Sequence, residues 1–175
     1  MKARVHIKEE LLKKGVEQVC IERGLRLIDG CEINDETILI TDEDLNAKRQ
    51  IVIFNDIKRA FLSKAKIKLF RDVDISELNK AIDKAILSQG YIQHKIKSSF
   101  IEIDSLKIKM GELTPRESAL VERIIAGMSN REIAKDLYLS EKTVKNNLTE
   151  LYRKLHIKNR IELTKKCKII LTENI

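Results

Sequence analysis

The chain has 175 residues, enough for one ordinary domain or two small ones, and with no tryptophan and 4% aromatics its core must come from Ile, Leu and Val. Its net charge of +7 is uneven: residues 113–175 hold 13 Lys/Arg against 8 Asp/Glu, whereas residues 1–112 hold 21 against 19, which suggests a polyanion-binding module joined to a near-neutral one. No apolar run approaches the ~20 residues that cross a bilayer, and acidic residues interrupt the N-terminus before any signal-peptide core, so a soluble, cytoplasmic protein without membrane contact is expected.

Residues 3–7 read as a short strand. Residues 9–23 carry Leu12, Val16, Val19 and Cys20 at helical spacing. Runs at 25–28, 37–41, 51–54 and 67–70 have strand length. Asp74 followed by Glu77 is a capping-box pattern, and Leu78, Ile82 and Leu87 then share one face of a helix that Gly90 should stop. Strands alternating with helices predict an α/β layer structure. About eight residues separate the second and third runs, and nine the third and fourth. A helical crossover between parallel strands needs roughly a dozen. Either two helices are eroded or some strands pair antiparallel. Residues 93–112 read as a linker with some local structure, because Ser98-Ser99 and Gly111 break it and 100–108 alternates apolar with polar.

From Leu113 the pattern is purely helical. Thr114, Pro115 and Glu117 make an N-cap, a first-turn proline and a capping-box acid. Leu120, Ile124 and Ile125 give that helix a buried face, and Gly127 stops it. Ser129 and Glu132 start a second helix with Ile133 and Ala134 inward, closed by Leu137. Ser140 caps a third after the tight turn Tyr138-Leu139, which is a helix-turn-helix arrangement. Val144, Leu148, Leu151 and Leu155 form the third helix's buried stripe. Its opposite face shows Lys142, Lys145, Asn146, Thr149 and Arg153, which are types that pair with base edges and phosphates.

Residues 113–163 resemble the DNA-binding domain of LuxR/NarL-type transcription regulators. The resemblance rests on Leu113-Thr114-Pro115-Arg116-Glu117, Gly127, Ser129-Asn130, Glu132-Ile133-Ala134, Leu137, Ser140, Lys142-Thr143-Val144-Lys145, Lys154-Leu155 and Asn159-Arg160. Asn147 stands where that family usually has His. The resemblance implies that Lys145, Asn146 and Thr149 face base edges. It implies that Asn130, Arg131, Lys142, Thr143 and Arg153 hold phosphates. It also implies a dimer contact on the last helix, formed by Leu163, Cys167 and Ile170. The expected partner is double-stranded DNA, bound by a homodimer with half-sites about one helical turn apart. RNA polymerase or another regulator is a further candidate partner.

The first half is similar to a response-regulator receiver, reduced and atypical. Residues 1–20 look like its first strand and helix, and 67–92 like its last, with Arg71 in the place of the receiver lysine. The receiver chemistry is dismantled. Ile7 and Lys8 stand where an acidic pair would hold magnesium. Thr41 or Asp42 ends the third strand, and Asn55 replaces a Thr/Ser. Asp42, Glu43 and Asp44 read as a solvated loop. The alternative for this half is an unrelated α/β sensing or dimerisation domain.

The predicted architecture is therefore a reduced receiver-like α/β domain at 1–92, a linker at 93–112 and an all-α four-helix helix-turn-helix domain at 113–175. The function expected is that of a sequence-specific transcription regulator working without aspartyl phosphorylation. The alternatives are a sigma-factor-like module or a regulator acting by protein contacts. No Gly-rich phosphate loop, paired metal ligands or nucleophile motif points to an enzyme or a cofactor. His6, His94 and His156 have no evident partners. Cys20, Cys31 and Cys167 are too scattered to bind metal and are expected as reduced thiols.

Overall fold

A computed structural model describes residues 1–29 and 34–173; Cys31 lies outside the described residues. The chain divides into two compact units, Met1–Ser99 and Phe100–Ile175. The first contains β1 (Lys2–His6), α1 (Glu10–Glu22), β2 (Arg26–Leu27), β3 (Thr37–Thr41), β4 (Gln50–Phe54), α2 (Ile57–Leu62), β5 (Ile67–Phe70), α3 (Ile75–Ile86) and β6 (Tyr91–Ile92). Then come α4 (His94–Gly111), α5 (Pro115–Ile125), α6 (Asn130–Asp136), α7 (Glu141–Leu155) and α8 (Arg160–Glu173).

The strands form one sheet in the order β2-β1-β3-β4-β5-β6, and every pairing is parallel. The first five follow the 2-1-3-4-5 order of flavodoxin-like doubly wound folds. The connection from β3 to β4, short enough to leave antiparallel pairing open, is thus an eroded helix. Residues 42–49 join β3 to β4 with no helix. Sterically this is easy. The return path along a five-residue strand is about 17 Å, and eight extended residues reach about 26 Å.

β3 and β4 are buried along their whole length. Ile38, Ile40, Ile51, Ile53, Ile67 and Leu69 project into one core with Val16, Val19 and Cys20 of α1 and Leu78, Ala81, Ile82 and Ala85 of α3. Alternation sends Leu39, Val52, Phe54 and Lys68 to the opposite face, where they are also buried. Lys68 survives there because its ammonium donates to the carbonyls of Ala60 and Ser63 at 2.7 and 2.6 Å, finishing the short helix α2. Burial holds its pKa below the usual lysine value.

Two local expectations are corrected. The side chain of Asp74 caps α3 by accepting from the Glu77 N–H at 2.8 Å, but the Glu77 carboxylate does not complete a capping box. It accepts instead from the Tyr91 hydroxyl. Burial and that carboxylate push the Tyr91 phenol up to about 12. The helix ends at Ile86, and the chain turns out of it not at Gly90 but at Ser88, whose φ is +55°. Gly90 is wanted for another reason: a Cβ there would lie 3.3 Å from the Lys66 carbonyl oxygen.

The stretch 93–112, expected as a linker, is mostly the 18-residue helix α4. Ile96, Ile103 and Leu106 are buried and Met110 is half-buried, at spacings of seven, three and four. Exposed Ile101 and Ile108 had broken that period into apparent alternation. Among the described residues no helix is long and apolar enough to cross a membrane.

Candidate nucleic-acid interface

The helices of the second unit are set by caps. Thr114 and Glu117 make a complete capping box on α5, with Pro115 in the first turn, and Ser129 and Glu132 make another on α6. Ser140 Oγ accepts from the Thr143 N–H at 3.0 Å to start α7. Tyr138 turns the chain between α6 and α7 at φ +54°, fully outward at 96% exposed. Leu120, Val121 and Ile124 of α5, Ile133 and Ala134 of α6, and Val144, Leu148, Leu151 and Leu155 of α7 supply the core. Ile125 is only half-buried, and Val121 takes the place expected for it.

Successive residues turn about 100° around a helix. Lys142, Lys145, Asn146, Thr149 and Arg153 therefore share an arc about 100° wide, opposite the buried stripe of α7. All five are exposed. Glu141 and Glu150 fall outside the arc, and no carboxylate among the described residues pairs with its cations. Among the described residues Lys142, Lys145, Asn146 and Arg153 have no side-chain partner. Thr149 Oγ1 donates to the Lys145 carbonyl at 3.0 Å, which turns its methyl group away from that bond. Thr143 is half-buried and lies on the flank, its hydroxyl 2.7 Å from Ser140 Oγ. Asn130 and Arg131 occupy the first turn of α6, half-buried and exposed respectively.

Other positions of the resemblance serve as braces. Lys154 Nζ reaches the Glu117 carboxylate at 2.8 Å. That bond, with the Thr114 N–H and hydroxyl, holds the Glu117 carboxyl down to about 2. Asn159 Oδ1 accepts from the Glu162 N–H at 2.9 Å, and the Arg160 guanidinium donates to the Met128 carbonyl in the α5–α6 turn. The Lys154–Glu117 and Arg160–Met128 bonds join residues more than thirty positions apart, so no local pattern announces them.

The residues assigned to a dimer contact require correction. Leu163, Cys167 and Ile170 are 0%, 0% and 5% exposed within a single chain, so they have no surface to offer a partner. Cys167 Sγ lies 3.7 Å from Met110 Sδ of α4, and Lys166 pairs with Glu102 at 3.0 Å. The exposed large apolar residues of α8 are Ile161 and Leu171. Burial also pushes the Cys167 and Cys20 thiols up to about 11.

In the first unit, the receiver-like positions meet in a crevice of about 350 Å³ at the carboxyl ends of β1, β3 and β4. Ile7 is buried there, and Lys8, Asp42, Asn55, Arg59 and Arg71 line it. The Lys8 N–H donates to Asp42 Oδ2 at 3.1 Å, and Lys8 Nζ pairs with Glu43 at 2.6 Å. Glu9 pairs with Arg71 at 3.0 Å. Asp44 is exposed and accepts from the Ser63 hydroxyl. Among the described residues no group of three or more acidic, His or Cys side chains could hold a metal. Magnesium wants several converging oxygens, and the crevice presents cations beside two carboxylates. The ion does not fit.

Comparison with known proteins agrees with this division. A family model described as bacterial regulatory proteins, luxR family, matches residues 111–167. A nitrate/nitrite response regulator protein homolog of Haemophilus influenzae is 30% identical over 155 residues, covering 89% of this chain and 69% of that one. An uncharacterized response regulatory protein, YgeK, of Escherichia coli is 36% identical over 91 residues, which are 51% of this chain and 60% of that one. Among solved structures, the response regulator in an RcsB–DNA complex aligns over 97% of this chain and 98% of its own, with a TM-score of 0.61 and 17% identity. At that identity the likeness establishes the fold: a parallel α/β unit followed by a helical helix-turn-helix unit.

Proposed function

The chain belongs to the luxR family of bacterial regulatory proteins, response-regulator type, and on that premise we propose that it is a sequence-specific DNA-binding transcription regulator acting without aspartyl phosphorylation. One observation carries the DNA-binding assignment: five exposed, carboxylate-free polar side chains on the arc of α7 opposite its buried stripe. Lys145, Asn146 and Thr149 take base edges in this reading. Asn130, Arg131, Lys142, Thr143 and Arg153 take phosphates. Phosphate contacts fix position and most of the affinity, and base contacts fix preference. Relatives described as response regulators, and a fold seen in a DNA complex, support the same reading.

Independence from aspartyl phosphate rests on the crevice. Asp42 stands at the end of β3, but one of its oxygens accepts from the Lys8 backbone, and among the described residues no cluster that could hold magnesium lies beside it. A homodimer, if it uses α8, must engage Ile161 and Leu171, the apolar residues left outside.

The test is selection of double-stranded fragments by the untreated full-length protein, followed by sequencing. Enrichment of one repeated motif, lost on Lys145→Ala with Asn146→Ala, supports the assignment. Retention without sequence preference, or the same motif with the double variant, refutes base reading by α7. A motif that appears only after treatment with a small phosphodonor and magnesium refutes phosphate independence.

A further inference from the structure

We propose that the crevice at the carboxyl ends of β1, β3 and β4 binds a small oxyanion-bearing ligand, with Lys8, Arg59 and Arg71 as its counter-charges and without magnesium. In open α/β sheets ligands bind outside the carboxyl ends of the strands where the strand order reverses. Here that point lies between β1 and β3, because β2 and β3 flank β1 on opposite sides. The crevice sits at that point, and its volume of about 350 Å³ suits a small ligand.

The charges favour an anion. Lys8, Arg59 and Arg71 line the space against Glu9 and Asp42. The Arg59 guanidinium has no ion pair or hydrogen bond among the described residues. Lys8 and Arg71 are paired, but on side chains 73% and 54% exposed, so these pairs open at little cost when a better acceptor arrives. Arginine forks match the geometry of phosphate and carboxylate oxygens.

A second observation sets the ligand's other end. Asp42 Oδ1 is buried and has no hydrogen-bond partner among the described residues. Buried acceptors are rarely left so. After a turn of the half-buried Asp42 side chain towards the crevice, a ligand with an N–H or O–H group beside its oxyanion satisfies it. Ile7, Leu12 and Ile53 give the crevice an apolar wall for the ligand's body. The fixed cations do the work that a divalent ion does where carboxylates converge. This inference is independent of how α7 reads DNA.

The experiment is an amide-resolved NMR titration of the full-length protein in EDTA, with inorganic phosphate in one arm and acetate in the other, at ionic strength matched with chloride. Saturable shifts at the amides of Lys8, Glu43, Asn55 and Arg59, unchanged by adding magnesium, are expected. Phosphate alone identifies a phosphoryl ligand, and both anions identify a general oxyanion site. No saturable shift at these amides, or shifts that require magnesium, overturns the proposal. Arg59→Ala should weaken the binding about tenfold, the loss expected for a charged hydrogen bond. Lys8→Gln is the second variant, and Leu78 and Ile82 amides report that the fold is intact. Unchanged affinity in both variants overturns the role assigned to the cations.

Discussion

Lys154 Nζ and the Glu117 carboxylate meet at 2.8 Å, so the helix that carries the polar arc is tied to the cap of α5. The same carboxylate accepts from the Thr114 N–H, also at 2.8 Å. This makes the second unit acid-sensitive in a defined window. Glu117 has an ordinary value of 4.5 and is held down to about 2 in the fold. A depressed carboxyl contributes stability that is present above its unfolded pKa and lost as pH falls through the folded one. The melting temperature of the second unit should therefore drop between pH 4.5 and pH 2. Glu117→Gln should flatten that drop and lower stability at pH 7. Parallel pH curves for the two proteins would show that the bond contributes nothing.

Lys145→Ala should weaken binding to the selected site by about 1–3 kcal/mol and relax preference at one base pair. Arg153→Ala should weaken all sequences alike and reduce the salt slope by about one. Fluorescence anisotropy at several salt concentrations separates the two. An equal loss on specific and random DNA for Lys145→Ala would make it a phosphate contact.

Tyr138 sits at φ +54° with its ring 96% exposed. A left-handed backbone costs an L-residue roughly 1–2 kcal/mol, whereas glycine adopts it freely. Glycine loses about 0.5–1 kcal/mol more chain entropy on folding, which offsets part of the gain. Tyr138→Gly should stabilise the second unit by about 0.5–1 kcal/mol, visible as a higher urea midpoint at unchanged slope. A lower midpoint would mean that the ring packs in a way its exposure does not suggest.

Residues 100–111 of α4 fold with the second unit, although the family model begins at residue 111. Ile103 and Leu106 are each 2% exposed. Ile103→Ala should cost about 2–5 kcal/mol. A fragment starting at Phe100 should unfold cooperatively at a higher urea concentration than one starting at Leu113. Equal midpoints would make α4 an ornament.

The legible parts of the sequence were those whose signal is local. The caps at Thr114, Ser129 and Ser140 and the stripe Val144-Leu148-Leu151-Leu155 could be read directly, because cap and period are written within a few residues. The strands were legible as Ile- and Leu-rich runs, but their pairing was not, because eight residues permit either direction until strand length is known. The helix α4 was hidden by Ile101 and Ile108, whose exposure no single sequence reveals. The dimer assignment failed for the same reason: an apolar stripe on α8 shows that something covers it, and here the cover is intramolecular. The candidate site was legible as residue types on one face; that Lys142, Lys145, Asn146 and Arg153 have no side-chain partner among the described residues was not.

The braces have a consequence for how this protein can change. Glu117, Lys154, Asn159 and Arg160, which make the chain recognisable, are engaged in holding helices and turns together. Lys145 and Asn146 have no such duty. Scaffold and vocabulary are thus separate in this unit. On the proposed reading of α7, the arc can be rewritten for another DNA sequence while the frame stays as stable as before, so operator preference is free to drift faster than the fold that presents it.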